Sequence, residues 1–281
     1  MATVAVTHFS DRLAEAVARK RSQLVVGLDP AVELMPPEVD GDLFEFCSGI
    51  VDAVAEHAVA VKPQSAFFEA HGADGVRAFW QVCEYARSAG LLVIADAKRG
   101  DIDSTARAYA EAFIPRADAV TVNPYLGGDS IAPFLDACRR EGAGIFCLVK
   151  TSNPGSADVQ DVVLADGRRL WQHVASLVRA WGDDLVGEHG LSAVGAVVGA
   201  TFAREVAEAR ELLPRSVILL PGIGAQGGRP ADVAAAFAAG PAGAVVSASR
   251  SVIYAGGGDW RSAAGAEAER LAREVWLASG A

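Results

Sequence analysis

The sequence has no C-x-x-C pair. Its four cysteines, Cys47, Cys83, Cys138 and Cys147, sit in mainly apolar segments, which argues for reduced, partly buried thiols and against disulfides or zinc. The five histidines, His8, His57, His71, His173 and His189, show no metal-ligand spacing, and no G-x-S-x-G, Walker or H-E-x-x-H pattern occurs. No basic run is present. With a net charge of −10 there is no electrostatic footprint for a phosphate backbone, so nucleic acid is not expected as a partner. No apolar run reaches the ~18 residues that a bilayer span takes. The opening "MATVAVTHFSDRLAEAV" also lacks a basic segment followed by an apolar one. The expectation is a soluble, cytoplasmic protein without a membrane partner.

The 281 residues are 51% hydrophobic and 21% charged, with 29 glycines and 12 prolines, as suits a globular α/β chain. Eight short aliphatic runs recur, at Leu24–Asp29, Ala58–Gln64, Leu91–Lys98, Ala119–Tyr125, Gly144–Thr151, Ser192–Ala200, Val217–Gly224 and Gly243–Arg250. Between them lie amphipathic stretches with helical spacing, such as Leu43–Glu56, Asp74–Ser88, Ser104–Phe113, Phe202–Leu213 and Pro230–Ala239. A helix capped by Ser10 is expected before the first run, and another, Trp260–Leu277, after the last. Buried strands alternating with helices imply a parallel sheet. Eight even units with no linker predict one domain over 1–281, a (β/α)8 barrel. The one long irregular piece, Ser152–Gly167, reads as a disordered loop or a lid at 152–167.

Barrel chemistry sits at the C-terminal strand ends. Those ends read Asp29, Lys62, Asp96 with Lys98, Asn123, Lys150 with Ser152, Thr201, Gly222–Gly228 and Arg250. Asp96 and Lys98, two apart on a strand, share a face, and Lys62 on the neighbouring strand lies beside them. With Asp101 just past the strand end, the result is an alternating Lys–Asp–Lys–Asp array. A salt-bridged rim is the plain alternative. Flanking carboxylates would keep Lys98 protonated, suiting it to protonate a carbanion rather than form a Schiff base. A substrate carboxylate pressed against Asp96 or Asp101 at about 4 Å would be repelled by about 1 to 4 kcal/mol, depending on the local dielectric. Its loss as CO₂ relieves that repulsion. The array therefore fits a cofactor-free decarboxylase.

Gly222, Gly224 and Gly227 match G-x-G-x-x-G, but the next strand ends in Ser-Ala-Ser-Arg without the acidic residue a dinucleotide site wants. A phosphate site after strands seven and eight fits better, from glycine N–H groups, the Gln226 amide and a two-pronged Arg250. A tight turn and a surface arginine would leave the same trace. Asp29 could bind a sugar hydroxyl or cap a turn before Pro30. The polar Thr151–Gly155 turn could read a base.

Taken together, "DAKRGDIDST", Asp29, Lys62, the Ser-x-Pro-Gly turn at Ser152, "PGIGAQGG" and "SASRSVIY" resemble the orotidine 5′-monophosphate decarboxylase family, in its longer-loop branch, over essentially the whole chain. The resemblance implies a TIM barrel without cofactor or metal that converts orotidine 5′-monophosphate to UMP and CO₂, the last step of de novo UMP biosynthesis. It implies Lys98 as proton donor to C6 and Asp96 near the departing carboxylate. Lys62 and Asp29 would contact ribose and Ser152 the base, while Gln226 and Arg250 would grip the phosphate. Asp101, Ile102 and Thr105 would reach into the partner's site of a homodimer. Asn153 and Gly155-Ser156-Ala157 depart from the commoner forms, so the base contacts are left to the structure. Two rivals remain: a Mg²⁺-dependent 3-keto-L-gulonate 6-phosphate decarboxylase, which wants an acidic ligand where Lys62 stands, and an inactive phosphate-binding barrel.

Overall fold

The computed structural model describes residues 7–200, 203–223, 229–256 and 259–281. The first half runs α1 (Phe9–Lys20), β1 (Leu24–Leu28), α2 (Leu43–Val54), β2 (Ala60–Pro63), α3 (Ser65–Glu69), α4 (Gly72–Ser88), β3 (Leu92–Arg99), α5 (Asp103–Phe113), β4 (Ala119–Val122) and α6 (Gly128–Glu141). Then follow β5 (Gly144–Lys150), α7 (Ala157–Gln160), α8 (Leu170–Trp181), β6 (Ser192–Val198), α9 (Ala203–Leu212) and β7 (Ser216–Pro221). A 3-10 helix over Pro230–Ala239, β8 (Ala244–Ala248), α10 (Arg250–Ile253) and α11 (Trp260–Ala278) complete the chain. Consecutive strands pair in parallel, and β8 returns to β1 with Leu24 opposite Val246. This is the expected (β/α)8 barrel. No helix among the described residues is long and apolar enough to cross a membrane.

The barrel interior is layered, and the layering places the site. Val25, Ala60, Ile94, Ala119, Phe146, Val217 and Val245 form one buried cluster with Phe9, Leu13 and Val17 of α1. The four-residue spacing of those α1 side chains makes a single apolar stripe, which closes the N-terminal mouth. Phe9 meets Phe146 edge-on, with ring centroids 5.8 Å apart. Gly144 and Gly195 leave room for these rings, since a Cβ on either would come within 2.5 Å of one. Two residues further along four of these strands, the same inner face carries Gly27, Lys62, Asp96 and Thr121. Thus an apolar floor supports a buried polar layer.

Local details differ from expectation. Helix α1 starts at Phe9 with His8 at its cap position, so Ser10 is buried inside the first turn and caps nothing. Burying Phe9 in the barrel floor pulls the helix start back. Strand β4 ends at Val122, because Asn123 turns its side chain back to accept the Tyr125 N–H at 3.1 Å. Strand β8 ends at Ala248, so Arg250 opens a helix rather than ending a strand. The Pro230–Ala239 stretch takes 3-10 rather than α geometry. Within and just after the 152–167 segment the chain forms a turn at Pro154–Ser156, helix α7, and an antiparallel bridge between Val163 and Arg169. Thr201 and part of the Gly222–Gly228 loop, including Gln226, lie outside the described residues.

Candidate active site

Asp96 stands at the centre of the polar layer, 5% exposed. Lys62 Nζ donates to its Oδ2 at 2.6 Å and Lys98 Nζ to its Oδ1 at 2.5 Å. Lys62, 7% exposed, lies one pleat lower on β2, since the residue bridging Asp96 across the sheet is Gln64. Burial favours the neutral carboxyl, yet the two ammonium groups and their hydrogen bonds outweigh it and hold Asp96 at about 2. Burial likewise pulls the Lys62 ammonium down, but the charges of Asp96 and Asp29 together leave it above the ordinary lysine value. All three side chains in this cluster therefore have partners suited to their charged forms.

Lys98 does not reach Asp96 by simple strand alternation, as the sequence suggested. Its φ is +48°, and the β3–β4 register shifts between Ala95 and Arg99. The chain bulges here, and Thr121 holds the bulge. Its hydroxyl oxygen accepts the N–H groups of Ala97 at 3.0 Å and Lys98 at 2.9 Å, and donates to Asp96 Oδ1 at 3.0 Å. Sequence reading missed Thr121. The available signal was a hydroxyl residue on the inner face of β4, two residues after the apolar layer.

These groups line a cavity of about 450 Å³ at the C-terminal mouth. Lys62, Asp96, Lys98 and Thr121 form one wall, with Thr151, Ser152, Asn153 and Gln160 on another. Leu148, Val197, Leu219 and Pro221 supply apolar surface. Gly199 lets the turn come close, since a Cβ there would lie 3.0 Å from the Ser152 backbone nitrogen. Asp29 accepts the Ser249 hydroxyl at 2.6 Å through Oδ2, while its Oδ1 is buried without a partner among the described residues.

The remaining candidates stand apart. Asp101 accepts the Ile102 N–H at 2.8 Å, and neither they nor Thr105 line the cavity. Ile102 is 46% exposed and Thr105 lies on the exposed face of α5. Arg250 is exposed at the start of α10, near Ser249 and hence Asp29. Gly222, at φ +106°, begins the glycine loop after β7. The array can hold a cation next to an anion and present both to a polar, apolar-lined pocket. Its two ammonium groups make a poor setting for a divalent ion.

Comparison with known proteins accords with this geometry. The chain is similar to the orotidine 5′-phosphate decarboxylase of Rhodopirellula baltica, 44% identical over 268 residues and 88% of each chain. It is also 44% identical to that of Roseiflexus castenholzii, covering 95% of this chain and 97% of the relative. The structure of Leishmania donovani OMP decarboxylase superposes with a TM-score of 0.80 at 34% identity, over 98% of this chain and 100% of that one. Residues 22–265 match a single family description, and by that match and these identities the chain belongs to the orotidine 5′-phosphate decarboxylase / HUMPS family.

Proposed function

We propose that Lys98 is the proton donor in the decarboxylation of orotidine 5′-monophosphate to UMP and CO₂, the reaction this chain carries out in pyrimidine biosynthesis. One observation carries the reading: a buried carboxylate, Asp96, fixed between two ammonium groups on the wall of the cavity. The substrate carboxylate on C6 is placed against Asp96, where like charge raises its energy. The C6–carboxyl bond breaks with its electron pair left on C6, CO₂ departs, and Lys98 delivers its proton to C6.

Repulsion of about 1 to 4 kcal/mol covers only part of the ~8 to 23 kcal/mol by which enzymes lower barriers. Stabilisation of the C6 carbanion by Lys98, and binding energy from the distant phosphate, supply the remainder. The phosphate end is assigned to Gln226 and Arg250, ribose to Asp29 and Lys62, and the base to Ser152. Asp101, Ile102 and Thr105 do not line their own cavity, which favours a homodimer in which they complete the partner's site. The enzyme is read as one domain, cytoplasmic, needing neither cofactor nor metal.

The test is the absorbance loss of orotidine 5′-monophosphate with purified protein, with and without EDTA. Conversion to UMP unaffected by EDTA is expected. A requirement for Mg²⁺, or no turnover by folded protein, would overturn the reading.

A further inference from the structure

Lys150 carries a buried charge that the reaction above does not use. It ends β5, is 4% exposed, and does not line the cavity. The β5–β6 register shifts between Leu148 and Lys150, and the Lys150 ammonium extends to the segment that follows. There Nζ donates to Asp161 Oδ2 at 2.9 Å and to Ser156 Oγ at 3.3 Å. Burying an ammonium is costly unless it is paired, so this contact fixes where Asp161 sits.

The next residue pair repeats the tie. Gln160 Oε1 accepts the Thr151 N–H at 2.8 Å, and its Nε2 donates to Thr151 Oγ1 at 2.8 Å. Thr151 Oγ1 in turn donates to Asn153 Oδ1 at 2.7 Å. Residues 150 and 151 are thus laced to 161 and 160, closing a short loop at its base. Ser152 and Asn153, inside that loop, are held on the cavity wall. A loop closed by such ties has lost most of its freedom before any ligand arrives, so binding need not supply that order.

We propose that Lys150, Asp161 and Gln160 are positioning residues for this reaction, forming a clasp that holds the Ser152 turn in its base-contacting place before substrate binds. The inference rests on Ser152 being the base contact, and it assigns this part of the 152–167 segment a fixed role as wall. Among the described residues the clasp's hydrogen bonds reach none of Lys62, Asp96 and Lys98, so loosening it acts on binding rather than on the proton transfer.

The test compares Asp161→Asn, Lys150→Met and Lys150→Arg with the wild type by steady-state kinetics, thermal melting and amide hydrogen exchange. Asp161 is partly exposed, so Asp161→Asn keeps the test alive should Lys150→Met fail to fold. For Asp161→Asn, KM for orotidine 5′-monophosphate should rise about fivefold or more with kcat within about twofold, the signature of lost ground-state binding. Exchange should quicken at residues 151–163 and not in the barrel strands, and Lys150→Arg should keep a near-normal KM. Unchanged KM in a variant whose 151–163 amides exchange faster would overturn the positioning role. So would a fall in kcat that tracks a general loss of melting temperature. Ser152→Ala separates the two layers of the argument. If it leaves KM unchanged while Asp161→Asn raises it, the base contact fails and the clasp positions some other group.

Discussion

Thr121 joins the strained backbone of Lys98 to the carboxylate of Asp96, accepting from one at 2.9 Å and donating to the other at 3.0 Å. With the Ala97 N–H also bound, both lone pairs and the single proton of the hydroxyl are in use. A non-glycine residue at positive φ costs of order 1–3 kcal/mol and persists only where its surroundings enforce it. Thr121→Val keeps the shape and removes all three bonds. It is expected to cost about 1–3 kcal/mol in stability from the groups left unpaired, and about tenfold or more in kcat through the displaced Lys98 ammonium. Thr121→Ser should retain most of both. Chemical denaturation and steady-state assays decide the matter, and a Val variant with normal kcat would mean that the bulge holds itself.

Removing the Lys98 amine tests the proton donor directly. General acids contribute about 10²–10⁴-fold to rates, and in the proposed mechanism the amine would also face the developing carbanion. Lys98→Ala should therefore lose at least about a thousandfold in kcat while still binding UMP, measurable by calorimetry. Near-normal turnover would remove Lys98 from the mechanism.

Much of this was legible in the sequence because it rests on periodicity. The eight apolar runs mark strands, and a lysine and an aspartate at the ends of adjacent runs, Lys62 and Asp96, do meet. What was hidden depends on distance in the chain or on local backbone geometry. Thr121 lies 23 residues from Lys98, and no spacing rule links them. The positive φ at Lys98 is unpredictable from a lysine, whose side chain disfavours it. Lys150 read as one more rim charge, but its partner Asp161 lies inside a segment with no periodic pattern. Ser10 looked like a helix cap only because the demand of Phe9 for the barrel floor cannot be seen locally.

The charge cluster should leave its mark on acid stability. Asp96 in the folded protein sits at about 2, below the ordinary carboxylate value. A depressed carboxylate stabilises the fold above the unfolded-state pKa of ~3.9, and this is lost as pH falls toward the folded value. The contribution is of order 2–3 kcal/mol for such a shift. Asp96→Asn should accordingly flatten the loss of stability between pH ~4 and ~2, relative to the wild type. It should also flatten the alkaline side. The wild-type Lys62 ammonium sits above the ordinary lysine value, so its stabilisation is lost as pH rises through that range, and without the Asp96 charge that offsets its burial this loss disappears. Urea unfolding across pH reads both limbs. Parallel curves for the two proteins would show that the cluster is not electrostatically coupled to folding.

Shared sites make a prediction that needs two inactive proteins. Asp101 and Ile102 do not line the cavity that Lys98 lines, so in the proposed homodimer each site would combine Lys98 of one subunit with Asp101 of the other. Lys98→Ala and Asp101→Ala should each be nearly inactive alone. Unfolded together and refolded as a mixture, half of the dimers carry one subunit of each kind. In those mixed dimers both defects fall in one site and the second site is intact. Activity should return to roughly a quarter of wild type by this counting of two-fold dimers. Mixing that restores nothing, with mixed dimers shown to form by native mass spectrometry, would place Asp101 in its own subunit's site or outside the chemistry.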